Sequence, residues 1–180
     1  MKEPTKEYLK DCFIYQNDDG VLLWKTRPDN HFVNSAYAKS WNTRYAGKIA
    51  GCLSNGYKVA SVNKRLFLIH RLIWVLHYGA IPSNQEIDHI NHMKGDNRIN
   101  NLRLVTHAEN QKNLSLLKNN TSGISGVYND KRNGHWIARI NSQDRKAKHL
   151  GIFKNKNDAI AARKQAECEY GYHSNHGMTV

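Results

Sequence analysis

With 180 residues and a formal net charge of +12, the chain has room for one compact domain or two small ones, and its charge favours an anionic partner such as nucleic acid or a membrane surface. Because it contains no run of 18 apolar residues and its first residues lack the apolar core of a signal peptide, we expect neither a membrane span nor a secretory leader. The three cysteines are far apart and form no Cys-x-x-Cys pair, so neither a zinc knuckle nor a disulfide framework is indicated and a reducing cytoplasm is the simplest location.

The N-terminal half of the chain predicts two β-hairpins and a helix. Apolar runs flank an Asp-Asp-Gly turn within residues 13–24, which is a strong hairpin signal. Residues 26–47 are polar and predict an irregular loop, either merely exposed or facing DNA. A second hairpin is predicted over residues 57–69 with its turn at Asn63-Lys64, followed by a short helix over residues 70–78.

Residues 87–113 carry the pattern around which the rest of the chain is organised. A short strand over 87–90 is followed by a polar loop and a second apolar run over 102–105. Thr106 and Glu109 then form a Thr-x-x-Glu capping box, so a helix should begin at His107. The predicted order is therefore strand, loop, strand, helix.

This order should bring three functional side chains together. Asp88 and His89 lie on the first strand, and Asn110 lies in the first turns of the helix. One carboxylate and one amide oxygen suit a hard cation such as Mg²⁺, which also keeps several waters. An imidazole beside them suits a general base that acts on water.

The series Asp88-His89, Asn100-Asn101-Leu102-Arg103 and Asn110 resembles the HNH endonucleases of the phage and intron homing type, members of the His-Me finger (ββα-metal) superfamily. The resemblance covers roughly residues 10–115. It implies that His89 activates the attacking water, that Asp88 and Asn110 hold one Mg²⁺ or Mn²⁺, and that Asn101 pins the loop. It also implies DNA ends with a 5′-phosphate and a 3′-hydroxyl.

Each of these residues also has a structural interpretation. His89 could be a half-buried structural histidine, Asp88 a turn acid, and the asparagines loop and cap residues, which is their usual role. Arg71 could support the site or bind a DNA phosphate, although a solvated or structural role is favoured. The combined spacing favours the nuclease interpretation.

The C-terminal third predicts a separate small unit. Residues 118–124 have the composition of a linker. Three strands and a helix should follow, with turns at 130–134 and at Asp144-Arg145; the strands are predicted at 126–129, 135–140 and 146–153, and the helix at 156–170. Alanines at 159, 162 and 166 would let this helix pack closely on the sheet.

The series Ser-Gly-x-x-Gly-Val, Trp-x-Ala-x-Ile and Leu-Gly-x-Phe, followed by an alanine-rich helix, resembles the plant Apetala-two/ethylene-response-factor DNA-binding domain over residues 122–170. That resemblance implies a three-stranded antiparallel sheet in the major groove of duplex DNA. It assigns DNA binding to Arg132, Trp136, Arg139, Arg145 and Lys148. Core packing is an equal alternative for Trp136, and a solvated face is an alternative for Arg139.

The sequence therefore predicts an α+β protein with a ββα-metal nuclease domain over residues 1–117 (ββα motif about 86–117), a linker over 118–124 and a DNA-binding domain over 125–180 with a three-stranded antiparallel sheet and one packed helix. The predicted function is metal-dependent cleavage of double-stranded DNA by a monomer or homodimer, in the cytoplasm of a bacterial or phage-infected cell. The alternative is a non-catalytic, sequence-specific DNA-binding regulator with a decayed nuclease fold. A nuclease acting on RNA or on nucleic-acid structure is a third, less favoured interpretation.

Overall fold

A computed structural model of the chain describes residues 3–141 and 146–179. The chain divides into two compact units, Met1–Val105 and Thr106–Val180. Both units mix helices with small sheets, so the predicted α+β class is confirmed. The division falls between Val105 and Thr106, and the boundaries expected near residues 117 and 125 stay a prediction. Within the described ranges, no helix is long and apolar enough to cross a bilayer.

The first unit is built from short helices and strands. Its helices are α1 (Lys6–Cys12), α2 (Ser35–Tyr45) and α3 (Ile69–Tyr78). Its strands are β1 (Phe13–Gln16), β2 (Val21–Trp24), β3 (Cys52–Ser54), β4 (Tyr57–Val62), β5 (Arg65–Leu68), β6 (Gln85–His89) and β7 (Leu102–Thr106), the last of which ends at the boundary. Single 3₁₀ turns at Asp29–His31 and Ile99–Asn101 complete the described elements.

Both predicted hairpins are present. Strands β1 and β2 pair antiparallel around the Asp-Asp-Gly turn. Strands β4 and β5 pair antiparallel around Asn63-Lys64, where both residues have positive φ, as a tight hairpin turn requires. Strand β3, which the sequence did not predict, joins them through a second turn at Asn55-Gly56.

The prediction of an irregular loop over residues 26–47 was wrong, because helix α2 occupies much of it. The side chain of Asn34 caps this helix by accepting a hydrogen bond from the backbone N–H of Tyr37. Tyr37, Trp41 and Tyr45 follow at intervals of four residues and therefore share one face. The sequence does not show this pattern clearly, because polar residues separate the three aromatic ones. Within this helix, Ala38 alone is fully buried.

Helix α3 lies in the core of the first unit, against α1 and the β3–β5 sheet. Leu72, Ile73 and Val75 are buried, whereas Leu76 is only partly buried. The helix begins at Ile69, one residue earlier than expected. Strand β6 follows α3 after a short connection, so the packing of α3 also helps to position β6, which carries Asp88 and His89.

The second unit begins with helix α4 (His107–Gln111), whose capping box between Thr106 and Glu109 is confirmed. Strands β8 (Val127–Asp130), β9 (His135–Asn141) and β10 (Ala147–Phe153) pair antiparallel in the order β10-β9-β8, and helix α5 (Lys156–Glu169) packs on them. The predicted turn at Asp144-Arg145 lies outside the described residues. The side chain of Asn155 caps α5.

The core of the second unit is small and is supplemented by a buried polar network. Val127, Ala138 and Ala159 form its apolar centre. The buried Arg163 donates to Glu167 Oε1 at 2.9 Å and to the backbone oxygen of Arg139 at 2.5 Å. These bonds hold α5 on the middle strand, because a buried guanidinium needs acceptors to compensate for its lost hydration.

The segment after α4 pairs with the tail that follows α5. The backbone of Lys112 accepts from His173, that of Leu114 accepts from Gly177, and Leu116 donates to Met178, at 3.1, 2.8 and 3.0 Å. Residues 112–116 therefore belong to the second unit together with the end of the chain.

Candidate functional site

Strand β6 presents the two residues predicted to carry the chemistry. His89 is its last residue and is only 6% exposed, on the same face as the buried Ile87. Asp88 lies on the opposite face, since neighbouring side chains alternate along a strand. The strand pairs with β7, which places Arg103 within reach of the Asp88 carboxylate.

Arg103 forms an ion pair with Asp88. Its Nε and Nη2 atoms both donate to Asp88 Oδ2, at 2.9 and 2.8 Å. Two hydrogen bonds to one oxygen fix the carboxylate in a single orientation. A carboxylate held in this way, with an amide oxygen as the second ligand, still has the donor chemistry that Mg²⁺ prefers, so the residue types fit the predicted metal.

The imidazole of His89 is held by an asparagine in the following loop. His89 Nε2 lies 3.1 Å from the side-chain oxygen of Asn97, which is completely buried. Because an amide oxygen can only accept, Nε2 is the donor in this arrangement. Among the described residues, the Asn97 amide nitrogen is buried without a hydrogen-bond partner.

Two aromatic side chains of the first unit lie beside His89. The ring of His70, on α3, contacts it edge-on with centroids 4.8 Å apart, and Tyr57 on β4 lies 6.2 Å away. Lys94 places its ammonium 4.7 Å from the Tyr57 ring. Burial, with smaller contributions from His89 and Arg71, lowers the pKa of His70 to about 3. His70 is therefore neutral at neutral pH.

The loop between β6 and β7 is held closed by its own side chains. Asn101 accepts a hydrogen bond from the Asn91 backbone and donates to the Asn91 side chain and to the Asp96 backbone, at 3.1, 2.9 and 2.8 Å. Asp96 also forms an ion pair with Arg98. Hydrogen bonds from Arg98, above all, lower the pKa of Asp96 to about 2. The contacts of Asn101 are those that its predicted role in pinning the loop requires; a catalytic contribution stays a prediction.

The first hairpin supports the same loop from outside. The backbone N–H of Ile99 donates to the Tyr15 hydroxyl at 2.8 Å. Gly20, at the hairpin turn, has φ +62, and a Cβ there would lie 2.4 Å from the backbone nitrogen of Arg98. Only glycine permits this close approach.

Asn110, the second predicted metal ligand, lies within α4 and is described with the second unit. Its assignment as a ligand stays a prediction. In the parts of the chain that the structure describes, no group of three His, Cys, Asp or Glu side chains could hold a metal ion. The predicted site has one carboxylate and one amide and does not require such a group.

The DNA-binding candidates occupy different environments. The Nε atom of Arg71 lies 2.5 Å from the carboxylate of Glu3, which favours a structural role. Arg132 extends into solvent with its side chain 92% exposed. Arg139 is exposed on the middle strand, with its guanidinium 5.2 Å from the Tyr128 ring centroid. DNA binding by these residues stays a prediction.

The remaining candidates are more varied. Trp136 packs partly against the core, with the ammonium of Lys156 5.3 Å from its ring centroid. Lys148 is exposed and donates to the Tyr170 hydroxyl at 3.0 Å. Arg145 lies outside the described residues.

Comparison with known proteins supports the nuclease interpretation of the loop and its flanks. Residues 67–112 match the family HNH_3, HNH endonuclease. We call this stretch the HNH segment. The chain is also 32% identical over 74 residues to "Protein 3.8" of Escherichia phage T7, over 41% of this chain and 61% of that protein. The match thus spans less than two thirds of the relative, and no solved structure matches the chain.

Two side chains of the HNH segment were not singled out from sequence. Asn97, the partner of His89, was treated as an ordinary loop residue, and Arg103, the partner of Asp88, was quoted as part of the motif without a role. Their positions depend on contacts across the loop and between strands. The Asp-Asn-Arg series at residues 96–98 is the only local signal, and it is typical of turns.

Proposed function

We propose that this protein is a metal-dependent DNA endonuclease of the HNH type. The observation that carries the proposal is the buried His89 at the end of β6, held by Asn97 next to Asp88 inside the HNH segment. A histidine fixed by a second side chain is the arrangement that general-base catalysis needs.

In this proposal, the chain's own residues position the water and the base. His89 takes a proton from the water at Nδ1, while the Nε2 proton stays on the hydrogen bond to Asn97. Arg103 orients Asp88, and Asn101 keeps the loop in place. The products are DNA ends with a 5′-phosphate and a 3′-hydroxyl.

Asp88 and Asn110 would hold the metal, Mg²⁺ or Mn²⁺. When bound, the ion would neutralise negative charge that develops on the phosphate and on the leaving oxygen. The identity of the two donors, one carboxylate and one amide, supports a hard cation over a soft one.

We further propose that the second unit binds double-stranded DNA through β8–β10, using Arg132, Trp136, Arg139, Arg145 and Lys148. The proposal is supported by the arrangement of three antiparallel strands with one packed helix, which is the arrangement that the sequence resemblance implies. The protein would act as a monomer or homodimer in the cytoplasm of a bacterial or phage-infected cell.

Nicking of supercoiled plasmid DNA tests the proposal. We expect conversion to the open-circular form with Mg²⁺ or Mn²⁺, and none with excess chelator. DNA binding without cleavage in either metal would instead support the alternative function, a regulator that keeps a decayed nuclease fold.

A further inference from the structure

A strongly basic stretch lies ahead of the HNH segment and has no part in the proposed chemistry. Residues 25–66 contain eight lysines and arginines and one acidic residue, Asp29. They include α2 and strands β3 and β4. Much of the net charge of +12 is therefore concentrated in one part of the first unit.

These residues enclose a cleft of about 760 Å³ between α2 and the β3–β5 sheet. Its volume lies within the range of about 300–1,000 Å³ typical of small-ligand sites. The aromatic face of α2 lines one wall with Tyr37, Trp41 and Tyr45, and Phe32 continues it. Ring centroids of successive members lie 5.0 to 6.0 Å apart, so the wall is a continuous aromatic surface.

A buried arginine forms part of the same lining. Arg27 is 5% exposed, and its guanidinium lies 4.8 Å from the Phe32 ring and 4.9 Å from the Trp41 ring. It donates to Tyr8 and Asn63 at 2.6 and 3.2 Å. No carboxylate of the described residues pairs with it. The positive charge of this guanidinium is thus balanced by rings and neutral acceptors and would favour an anionic ligand.

The rim of the cleft exposes apolar side chains. Val33, Tyr37, Ile49 and Leu66 are 90%, 55%, 68% and 66% exposed. Clustered exposed apolar groups mark interaction surfaces. Lys64 lies beside them in the lining, so the rim combines apolar contact with positive charge.

We infer that this cleft binds unpaired nucleotides of a DNA strand, with one or two bases stacked on the aromatic wall and their phosphates near Lys64. Single-strand binding sites combine stacking platforms with positive charge in this way. In a duplex, the bases are already stacked on each other, so a duplex would contact the charge and leave the aromatic wall unused. A second copy of this chain is disfavoured, because two such basic surfaces repel each other.

Binding is measured with the full-length protein in the presence of chelator, so that no cleavage occurs. The probe is a labelled oligothymidylate of about 15 nucleotides, within the site sizes of single-strand binders, and fluorescence anisotropy gives Kd. A labelled duplex of the same length is measured beside it at the same salt concentration.

Two substitutions address opposite walls of the cleft. Tyr37→Ala removes a stacking ring, and Leu66→Glu places a negative charge on β5. Both side chains are largely exposed, so the fold should be retained. We expect Tyr37→Ala to weaken oligothymidylate binding by about tenfold or more, because one stacked base contributes on that order. We expect Leu66→Glu to weaken it as well, because the new carboxylate repels the phosphates near Lys64.

Matched controls make the same changes outside the cleft. Tyr78→Ala removes an aromatic side chain that is 65% exposed on α3, and Leu53→Glu alters a leucine that is 71% exposed on β3. We expect both to change oligothymidylate binding less than twofold. The two aromatic variants, Tyr37→Ala and Tyr78→Ala, remove no charge and should leave duplex binding within twofold.

Three results would overturn the inference: no oligothymidylate binding by the unmodified protein, equal losses for the cleft and control variants, or equal losses for single strand and duplex in Tyr37→Ala. None of them depends on plasmid cleavage. A failure of this inference and a failure of the proposed nuclease function are therefore separate outcomes.

Discussion

Nε2 of His89 and the side-chain oxygen of Asn97 lie 3.1 Å apart inside the first unit. Replacing Asn97 with alanine would leave the buried ring N–H without an acceptor, a loss that costs about 1–3 kcal/mol. If that cost is expressed in the transition state, we expect cleavage to slow by roughly 5- to 150-fold. Single-turnover cleavage measures the rate.

A purely structural role for Asn97 is separated from a positioning role by Asn97→Asp. The carboxylate would keep an acceptor against Nε2 and favour the protonated imidazole, so the acid limb of the pH–rate profile should move to higher pH. Asn17→Ala, in the exposed turn of the first hairpin, serves as the control. An unshifted profile in the aspartate variant would refute the positioning role.

His89→Ala should abolish cleavage and leave DNA binding intact. The loss of a positioned base typically costs roughly 10²–10⁴ in rate. Cleavage rate and Kd for duplex DNA are measured on the same preparation, with His149→Ala, an exposed histidine on β10, as the matched control. A His89→Ala protein that cuts within a few-fold of the unmodified enzyme would show that the base is misassigned.

Asp88→Ala and Asn110→Ala should each raise the Mg²⁺ concentration needed for half-maximal cleavage, and excess Mg²⁺ or Mn²⁺ should restore part of the activity. Each substitution removes one proposed oxygen ligand. Asp19→Ala, in the exposed hairpin turn, controls for the loss of an acidic charge. Metal titrations that overlay the unmodified enzyme would rule out these residues as ligands.

Arg139→Ala should relax the choice of cleavage site more than Lys154→Ala, a change of an exposed cation after β10. A bidentate contact from arginine to guanine discriminates by roughly 1–3 kcal/mol, whereas a phosphate contact does not depend on sequence. Sequencing of cleavage sites from a randomised library at fixed salt compares the two variants. Identical site preferences would contradict base reading by Arg139.

His70 should make the fold sensitive to mild acid. Its folded pKa of about 3 lies below the ordinary value of 6.5, so the unfolded chain takes up the proton first as pH falls below about 6.5. The associated stability is present above that pH and is lost progressively towards pH 3. At pH 5.5 the loss should be about 1.4 kcal/mol.

Urea unfolding at pH 7.5 and 5.5 checks this expectation. His70→Leu should show a smaller drop in the free energy of unfolding between the two pH values than the unmodified protein, and His149→Leu should not differ from the unmodified protein. A drop of the same size in His70→Leu would mean that another group controls the acid sensitivity.

Local signals in the sequence were sufficient for the hairpins and for the start of α4. The glycine-containing turn after β1 and the Thr106–Glu109 capping box act over three or four residues, so they are readable without the fold. Helix α2 was missed because polar residues separate its aromatic residues. The ring of Trp24 on β2, against which Trp41 packs, lies seventeen residues away in the chain.

The partners of the predicted site were harder to find, because they are tertiary. Asn97 lies eight residues beyond His89, and Arg103 lies fifteen residues beyond Asp88. The sequence marks both as ordinary loop and strand residues. Only the closing of the loop and the pairing of β6 with β7 bring each one to its partner.

Gly20 lies against the backbone of Asn97 and Arg98, so the first hairpin and the loop would have to be moved together in any transplant of this motif. A graft of the HNH segment alone into another scaffold would lose the hairpin that packs against its loop and supports it. The portable module is therefore discontinuous: it needs the hairpin at residues 13–24 as well as the HNH segment. Loop length and hairpin turn must also be redesigned together.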